Sequence, residues 1–334
     1  MKPEEYGSAL QYFTGNKEHN IALRDIAIRR GWKLNEYGLF EEATGRRLAG
    51  EDECDIYRRL GLECMPPELR ENRGELETAA TGKLPHLIVQ GDLLGDLQVH
   101  SKYSDGTGTM EEMAKAAQTM GYQYLAITDH SQGLGVARGL SPQRLEEKLR
   151  EVDKLNARLA PFRILKGAEV DIRGDGRLDY PDEILSQLEI VVVSIHSGFE
   201  QNEERITDRI LRAFESPHVD ILAHPTGRLI NRRPGYAVNL EQVLRAAAAG
   251  GIAVEINASP ERLDLDDSWS RRAKELGVTL CINTDAHTPA TLAFMRYGVA
   301  VARRGWLEKQ DVLNTLPVEQ LLARGRRNRL RRAA

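Results

Sequence analysis

The chain has 334 residues, 41% of them apolar and 29% charged, a soluble globular mixture that excludes collagen-like, low-complexity and wholly disordered chains. Its 46 basic and 50 acidic residues leave a net charge of −4, so no global positive field recommends nucleic acid as a partner, and only local basic patches argue for it. No apolar run approaches the roughly 18 residues of a membrane helix, and Met1–Glu5 lacks the apolar stretch of a signal peptide, so the expected location is cytoplasmic with no membrane partner. The three cysteines, Cys54, Cys64 and Cys281, form no CxxC pair, which argues against a disulfide framework and for a reducing compartment.

The first seventy residues predict a small α+β piece. Lys17–Arg30 carries Ile21, Leu23, Ile26, Ala27 and Ile28 at helical spacing and stops at Gly31. Trp32–Phe40, then Arg46–Leu48 after Thr44-Gly45, has the pattern of a short hairpin, and Asp52–Leu60 that of another helix. Between Pro66 and Pro85 the composition turns to Pro, Glu, Arg, Asn and Gly, and residues 71–89 are expected to be a linker between a unit over 1–70 and a larger one over 90–334.

From residue 90 strands and helices alternate. Strands are expected at Leu94–His100, Tyr124–His130, Ile164–Ile172, Ile190–His196, Val219–His224, Ile252–Asn257 and Val278–His287. Helices are expected at Met110–Met120, Pro142–Leu159, Glu203–Phe214, Leu240–Ala249 and Ser268–Leu276. A further strand at Tyr297–Ala302 and a helix near Val312 complete the reading. Steps of about thirty residues mean βαβ units and a parallel sheet, and seven in succession favour a closed barrel.

Chemistry enters through position. The strands end in His100, His130, Glu169, His196, His224, Glu255/Asn257, and Asp285 with His287. In a parallel barrel these ends meet at one face, where such folds keep their sites. One histidine at a strand end is more often a hydrogen-bonded core residue than a ligand. Five with two carboxylates at one end of one sheet are not independent accidents, and imidazole with carboxylate and no thiolate suits Zn²⁺ or Mn²⁺. Glu255 has a plain alternative as an internal ion-pair partner, and Cys281 as a small core residue.

The run Asp96-Leu-Gln-Val-His100 with Ser104-Asp105-Gly106 resembles the first motif of the polymerase-and-histidinol-phosphatase (PHP) superfamily. Ile127–His130, Gly167–Glu169, Ser194–His196, Ala223–Pro225 and Asp285–His287 follow in family order. The resemblance implies a distorted (β/α)₇ barrel that holds two or three divalent ions and hydrolyses phosphoesters. It implies one ion on Gln98, His100, Glu169 and Asp285, a second on Glu169, His196 and His224, and a third on Asp105, His130 and His287. Gln98 departs from the family's usual histidine and offers a weaker, neutral amide oxygen.

Tyr12–Asn16, Lys17–Arg24 and Leu34–Phe40 resemble the thumb of a family X DNA polymerase, in whose bacterial members a PHP domain follows. That resemblance implies a nucleotide pocket lined by Tyr12, Phe13 and Gly15, here without the palm, since only eleven residues precede Tyr12. The chain is therefore expected to be the C-terminal portion of such a polymerase. The implied reaction is metal-assisted phosphodiester hydrolysis at DNA 3′ ends, in gapped or nicked substrates, as in base excision repair. Glu169, His196, Asp285 and Arg228 are the expected catalytic residues, and Arg138, Arg228, Arg232 and Arg233 the expected phosphate contacts. Solvated loop charge is the bland alternative for Arg232 and Arg233. Six arginines between Arg324 and Arg332 could touch phosphate nonspecifically, though a charged terminus has that composition anyway.

Overall fold

The computed structural model describes residues 2–325. The chain divides into two compact units, one ending at His86 and the other starting at Leu87.

The first unit contains helices α1 (Tyr6–Thr14) and α2 (Lys17–Ile28), a three-stranded antiparallel sheet of β1 (Trp32–Asn35), β2 (Gly38–Glu41) and β3 (Arg47–Ala49), then α3 (Glu53–Arg59) and α4 (Glu75–Ala80). Asn16 caps α2 by accepting from the His19 amide, and Leu23 and Ala27 face inward against Leu34, Leu39, Ile56 and Tyr57. Two features differ from the sequence reading. The stretch read as a linker carries α4, whose Leu76 and Ala79 belong to this unit's core. Cys54 and Cys64 form a disulfide, which corrects the expectation drawn from their count. Gly61, at φ 70°, turns the chain back after α3 and brings the two Cα atoms to 4.8 Å, a reversal that cysteine spacing does not reveal.

The second unit is a seven-stranded parallel sheet with its strands in sequence order: β4 (Gly95–Val99), β5 (Tyr124–Ile127), β6 (Arg163–Asp171), β7 (Ile190–Ser194), β8 (Ile221–Leu222), β9 (Ala253–Asn257) and β10 (Leu280–Asn283). The crossovers hold α5 (Met110–Thr119), α6 (Pro142–Leu159), α7 (Asp182–Leu185), α8 (Glu203–Ala213), α9 (Leu240–Gly250) and α10 (Asp267–Glu275). Thr109, Ser141, Asn202, Asn239 and Asp266 cap their helices, and Gly251, at φ 60°, ends α9 in the left-handed conformation that its lack of Cβ allows.

The sheet curls until β10 meets β4, where side chains do most of the sealing. Leu97 N donates to Asn283 Oδ1 at 3.1 Å, Thr284 Oγ1 to Asp96 at 2.5 Å, and Asn314 Nδ2 to the carbonyls of Gly95 (2.9 Å) and Ile282 (2.6 Å). Backbone bonds from His100 N to Ala286 O at 2.8 Å, Thr107 N to His287 O at 2.7 Å and Leu94 N to Asn314 O at 2.8 Å complete the seam. Leu97, Tyr124, Leu165, Val192, Ile221 and Cys281 fill the barrel interior, so Cys281 is a core residue. The expected strand at Tyr297–Ala302 is instead helix α11 (Met295–Arg304), with Met295, Gly298, Val299 and Ala302 buried at helical spacing. Two 3₁₀ turns flank Val312, and α12 (Val318–Arg324) follows. Residues 326–332 of the arginine-rich tail lie outside the described residues.

Candidate metal centre

At the C-terminal ends of the strands one buried carboxylate, Glu169, meets four imidazoles. Its Oε1 lies 3.0 Å from His224 Nε2 and 3.3 Å from His196 Nε2; its Oε2 lies 3.2 Å from His100 Nε2 and 3.5 Å from His130 Nδ1. The strands β4 to β8 each deliver one of these residues, which is how positions far apart in sequence converge. Asp285 Oδ1 stands 3.1 Å from His100 Nε2. Asp105 reaches His287 Nε2 at 3.2 Å, His130 Nε2 at 3.6 Å and His100 Nδ1 at 3.8 Å.

Three groups offer ligand atoms within 4.8 Å of one another: His100, Asp105, His130 and His287; His130, Glu169 and His196; His100, Glu169 and Asp285. His100, Glu169 and Asp285 of the expected first set and all three members of the third are thus brought together, with His100 joining the third. In the second, His130 takes the grouped place expected of His224, whose Nε2 faces Glu169 Oε1. Gln98 is fully buried two residues before His100 on the same face of β4.

Several of these polar atoms have no hydrogen-bond partner: both side-chain atoms of Gln98, both ring nitrogens of His100, Nδ1 of His130 and His224, and Oε2 of Glu169. Buried polar groups are ordinarily paired. A divalent cation fits this donor set of imidazoles, carboxylates and one amide oxygen. His224 and Asp285 also have positive φ, 29° and 54°, a conformation non-glycine residues adopt at a cost and that concentrates at functional sites.

Charges in the cluster are tightly paired. Burial opposes ionisation of Glu169, but His130, His196 and His100 hold its carboxyl well below the usual range. Burial likewise opposes ionisation of Asp285 and Asp105, yet their imidazole neighbours keep both low. Burial would depress His196, but Glu169 and Asp171 push it up to about 9. His100 is raised against burial by Asp285 and Glu169, whereas His224 falls to about 4 through burial and the nearby Arg262.

Residues outside the expected set orient the cluster, as partners behind metal ligands do. Asp171 Oδ1 lies 3.3 Å from His196 Nδ1 and accepts from the His196 amide. Asn257 Nδ2 donates to Asp285 Oδ2 at 3.1 Å, and Arg262 Nε stands 3.5 Å from the same oxygen. Glu255 accepts from Asn257, Asn283 and the His224 amide, an internal structural role with no cationic partner among the described residues, and burial pushes its carboxyl well above the usual range. Asp171 is the next position after Glu169 on the same face of β6, a periodicity the sequence carries; Arg262 lies on a loop and had no spacing signal.

Three of the expected phosphate arginines are engaged with other groups. Arg228 spends its guanidinium on the carbonyls of Arg262 and Leu263 and lies 3.6 Å from Asp266. Arg232 pairs with Glu261 at 3.0 Å. Arg233 donates to Gly227 O and lies 3.9 Å from the Phe199 ring centroid. Arg138 is exposed, with φ 56°. In the first unit Tyr12 and Phe13 pack edge to face at 5.1 Å, Phe13 is exposed, and Gly15 follows the end of α1.

A sequential parallel barrel with imidazoles and carboxylates gathered at its C-terminal mouth defines a class of metal-binding barrel proteins. Within that class the chain belongs to the PHP family, whose model matches residues 96–259, and it carries a DNA polymerase beta thumb at residues 9–71. The order of thumb and PHP domain agrees with the sequence reading. The chain is 46% identical over 325 residues, 97% of its length, to the DNA polymerase/3′–5′ exonuclease PolX of Bacillus subtilis (strain 168), of which it spans 57%. The chain thus spans little more than half of that relative. It is 33% identical over 221 residues to a probable phosphatase of Thermoanaerobacter sp. (strain X514), covering 62% of this chain and 84% of the relative. A solved histidinol phosphate phosphatase from Lactococcus lactis matches with TM-score 0.48 and 19% identity, over 62% of this chain and 93% of that one. Among the described residues no helix is long and apolar enough to cross a membrane.

Proposed function

We propose that the chain hydrolyses DNA phosphodiesters at 3′ ends, as a metal-dependent 3′–5′ exonuclease or 3′-end-processing enzyme of base excision repair acting in the cytoplasm. The observation that carries this reading is Glu169, buried among four imidazoles, with two of them facing each of its oxygens. The thumb and the PolX relative favour DNA, in gapped or nicked form, as the substrate.

Gln98, His100, Glu169 and Asp285 would hold one Zn²⁺ or Mn²⁺. Glu169 would share a second with His196 and either His130 or His224, and Asp105, His130 and His287 a third. Divalent ions held there would supply Lewis acidity and a nucleophile from water at neutral pH. Among the chain's own groups, Asp171 fixes the His196 ring so that Nε2 faces Glu169. Asn257 and Arg262 fix Asp285, and burial keeps bulk water from Glu169. Arg228 would hold the non-bridging phosphate oxygens, with Arg138, Arg232 and Arg233 along the strand. Arg228 would exchange its carbonyl partners for phosphate, and Arg262, already beside Asp285, is a second candidate. Tyr12, Phe13 and Gly15 would meet a nucleotide only alongside a palm domain.

The probable-phosphatase relative supports a second reading, hydrolysis of a small phosphomonoester. End-labelled DNA and histidinol phosphate, each incubated with the chain and Mn²⁺ or Zn²⁺, test both. Shortening of the DNA, lost in Glu169→Ala, is the expected result. Phosphate release without DNA cleavage would favour the phosphatase, and neither reaction would leave a barrel that only positions DNA.

A further inference from the structure

Lys148 is fully buried in the apolar stripe of α6, among Leu145, Leu149 and Val152. A buried ammonium is costly to desolvate unless every donor is used. Here all three are used: Nζ donates to Ile127 O at 2.9 Å and Gly167 O at 3.0 Å, and lies 3.1 Å from Asp129 Oδ2. Lys148 thereby joins the end of β5 to β6 and fixes one face of the Asp129 carboxylate.

The other face of Asp129 organises the loop between His100 and Asp105. Ser101 N donates to Oδ1 at 2.8 Å and Ser104 N at 3.2 Å. The Ser101 hydroxyl lies 2.9 Å from Oδ2, and the Ser104 hydroxyl lies 2.8 Å from Oδ1 and 3.2 Å from Asp105 Oδ1. The loop closes tightly, with Gly106 N donating to Ser101 O, and a Cβ at Gly106 would lie 2.6 Å from His100 O. Asp105, at the end of this loop, is the carboxylate that faces His130 and His287.

We propose that Lys148 and Asp129 form a clamp that sets the Ser101–Asp105 loop, making Lys148 a positioning residue for the Asp105 group that acts through Asp129 without touching that group. This inference rests on the metal-binding reading of the cluster and is independent of the substrate. Retention of an ammonium in an otherwise apolar helix stripe then has a reason: a charged anchor keeps the carboxylate oriented while it accepts from two loop residues.

The test is a double-mutant cycle on metal affinity, with no hydrolysis assay involved. The full chain, D105A, K148M and K148M/D105A are stripped with chelator, titrated with Mn²⁺ and with Zn²⁺, and their bound metal is measured. K148M should weaken the affected site by about tenfold, as loss of a ligand's supporting partner does. K148M/D105A should bind as D105A does, because the loop has no ligand left to position. If K148M does not fold, K148M/D129N, which has no unpaired buried charge, takes its place and should show the same loss. Unsubstituted affinity in a folded K148M or K148M/D129N chain would overturn the proposal, as would losses from K148M and D105A that simply add. An unsubstituted chain that binds neither ion would overturn the metal reading itself, and the clamp with it.

Discussion

Both units bury a histidine against a glutamate, and the two pairs are built in opposite ways. In the first unit His19 is fully used: Nδ1 lies 2.7 Å from Glu75 and Nε2 3.0 Å from the Tyr57 hydroxyl. Glu75 also accepts from the amides of Asn72 and Arg73. The neighbouring Arg70 is equally spent, on Glu53, Thr14 and the Met65 carbonyl. At the barrel mouth the imidazoles of His100, His130 and His224, the Gln98 amide and Glu169 leave buried atoms that make no hydrogen bond. A satisfied network ties α2 to α3 and α4 and asks for nothing more. An unsatisfied one carries a cost that only a ligand would offset. Burial and residue type do not separate these sites; the balance of donors and acceptors does.

The largest expected effect tests the unsatisfied side. Glu169→Ala should lower metal retention and DNA hydrolysis by at least about a hundredfold, since loss of a mere supporting partner already costs ten to a hundredfold. A ligand bound only by the native state stabilises it by about 4 kcal/mol at a thousand times its Kd. Chelation should therefore lower the melting temperature of the unsubstituted chain and shift Glu169→Ala far less. Undiminished hydrolysis by this variant would remove Glu169 from the centre of the site.

The satisfied side predicts the reverse. His19→Ala strands Glu75 and Tyr57 and should destabilise the first unit by about 3 kcal/mol, the low end for breaking a buried pair. Metal content should not change. Urea unfolding and metal analysis on the same preparation check both halves, and a fall in bound metal would break the contrast between the units.

Much of the barrel was legible because βαβ spacing and strand-end chemistry are local signals. The strand ends from His100 to His287 and helix α6, Pro142–Leu159, needed no tertiary information. The misreading of Tyr297–Ala302 shows the limit. Tyr297, Val299 and Val301 alternate like a strand, yet the residues that pack inward follow helical spacing, and Gly298 lies so close to Ile282 that a Cβ there would meet it at 2.5 Å. Arg262 and Lys148 were missed for a related reason. Each reaches the strand ends or their loops from an element whose own pattern is ordinary, and only the folded barrel shows where the side chain goes.

Arginine placement yields an intermediate effect. Arg262 is half-buried beside Asp285, whereas Arg228 is bound to two carbonyls and faces Asp266. Removing a charged hydrogen-bond donor to phosphate costs about 1.5 kcal/mol or more, roughly tenfold. Arg262→Ala should raise KM for DNA by about that factor, with bound metal retained. Arg228→Ala should raise it less and instead lower the melting temperature. A larger KM effect at Arg228 would mean that its guanidinium leaves the carbonyls when DNA binds.

Gln98 allows the cost of an unsatisfied site to be measured directly, with the smallest expected change. Both polar atoms of its amide are buried and unpartnered. Replacing such an amide by an apolar group of similar size removes a desolvation penalty of about 1 kcal/mol or more. Gln98→Leu should therefore make the metal-stripped chain more stable by about 1 kcal/mol, while weakening metal retention because one oxygen ligand is gone. Gln98→His moves in the other direction, adding an imidazole on the same strand face as His100 and tightening metal retention through dialysis. Urea unfolding of the stripped chains, paired with metal content of the loaded ones, reads both effects. Opposite signs for stability and metal retention in Gln98→Leu would show that the amide is kept for the ion. Loss of both together would mean that Gln98 supports the fold, and its place in the unsatisfied set would have to be withdrawn.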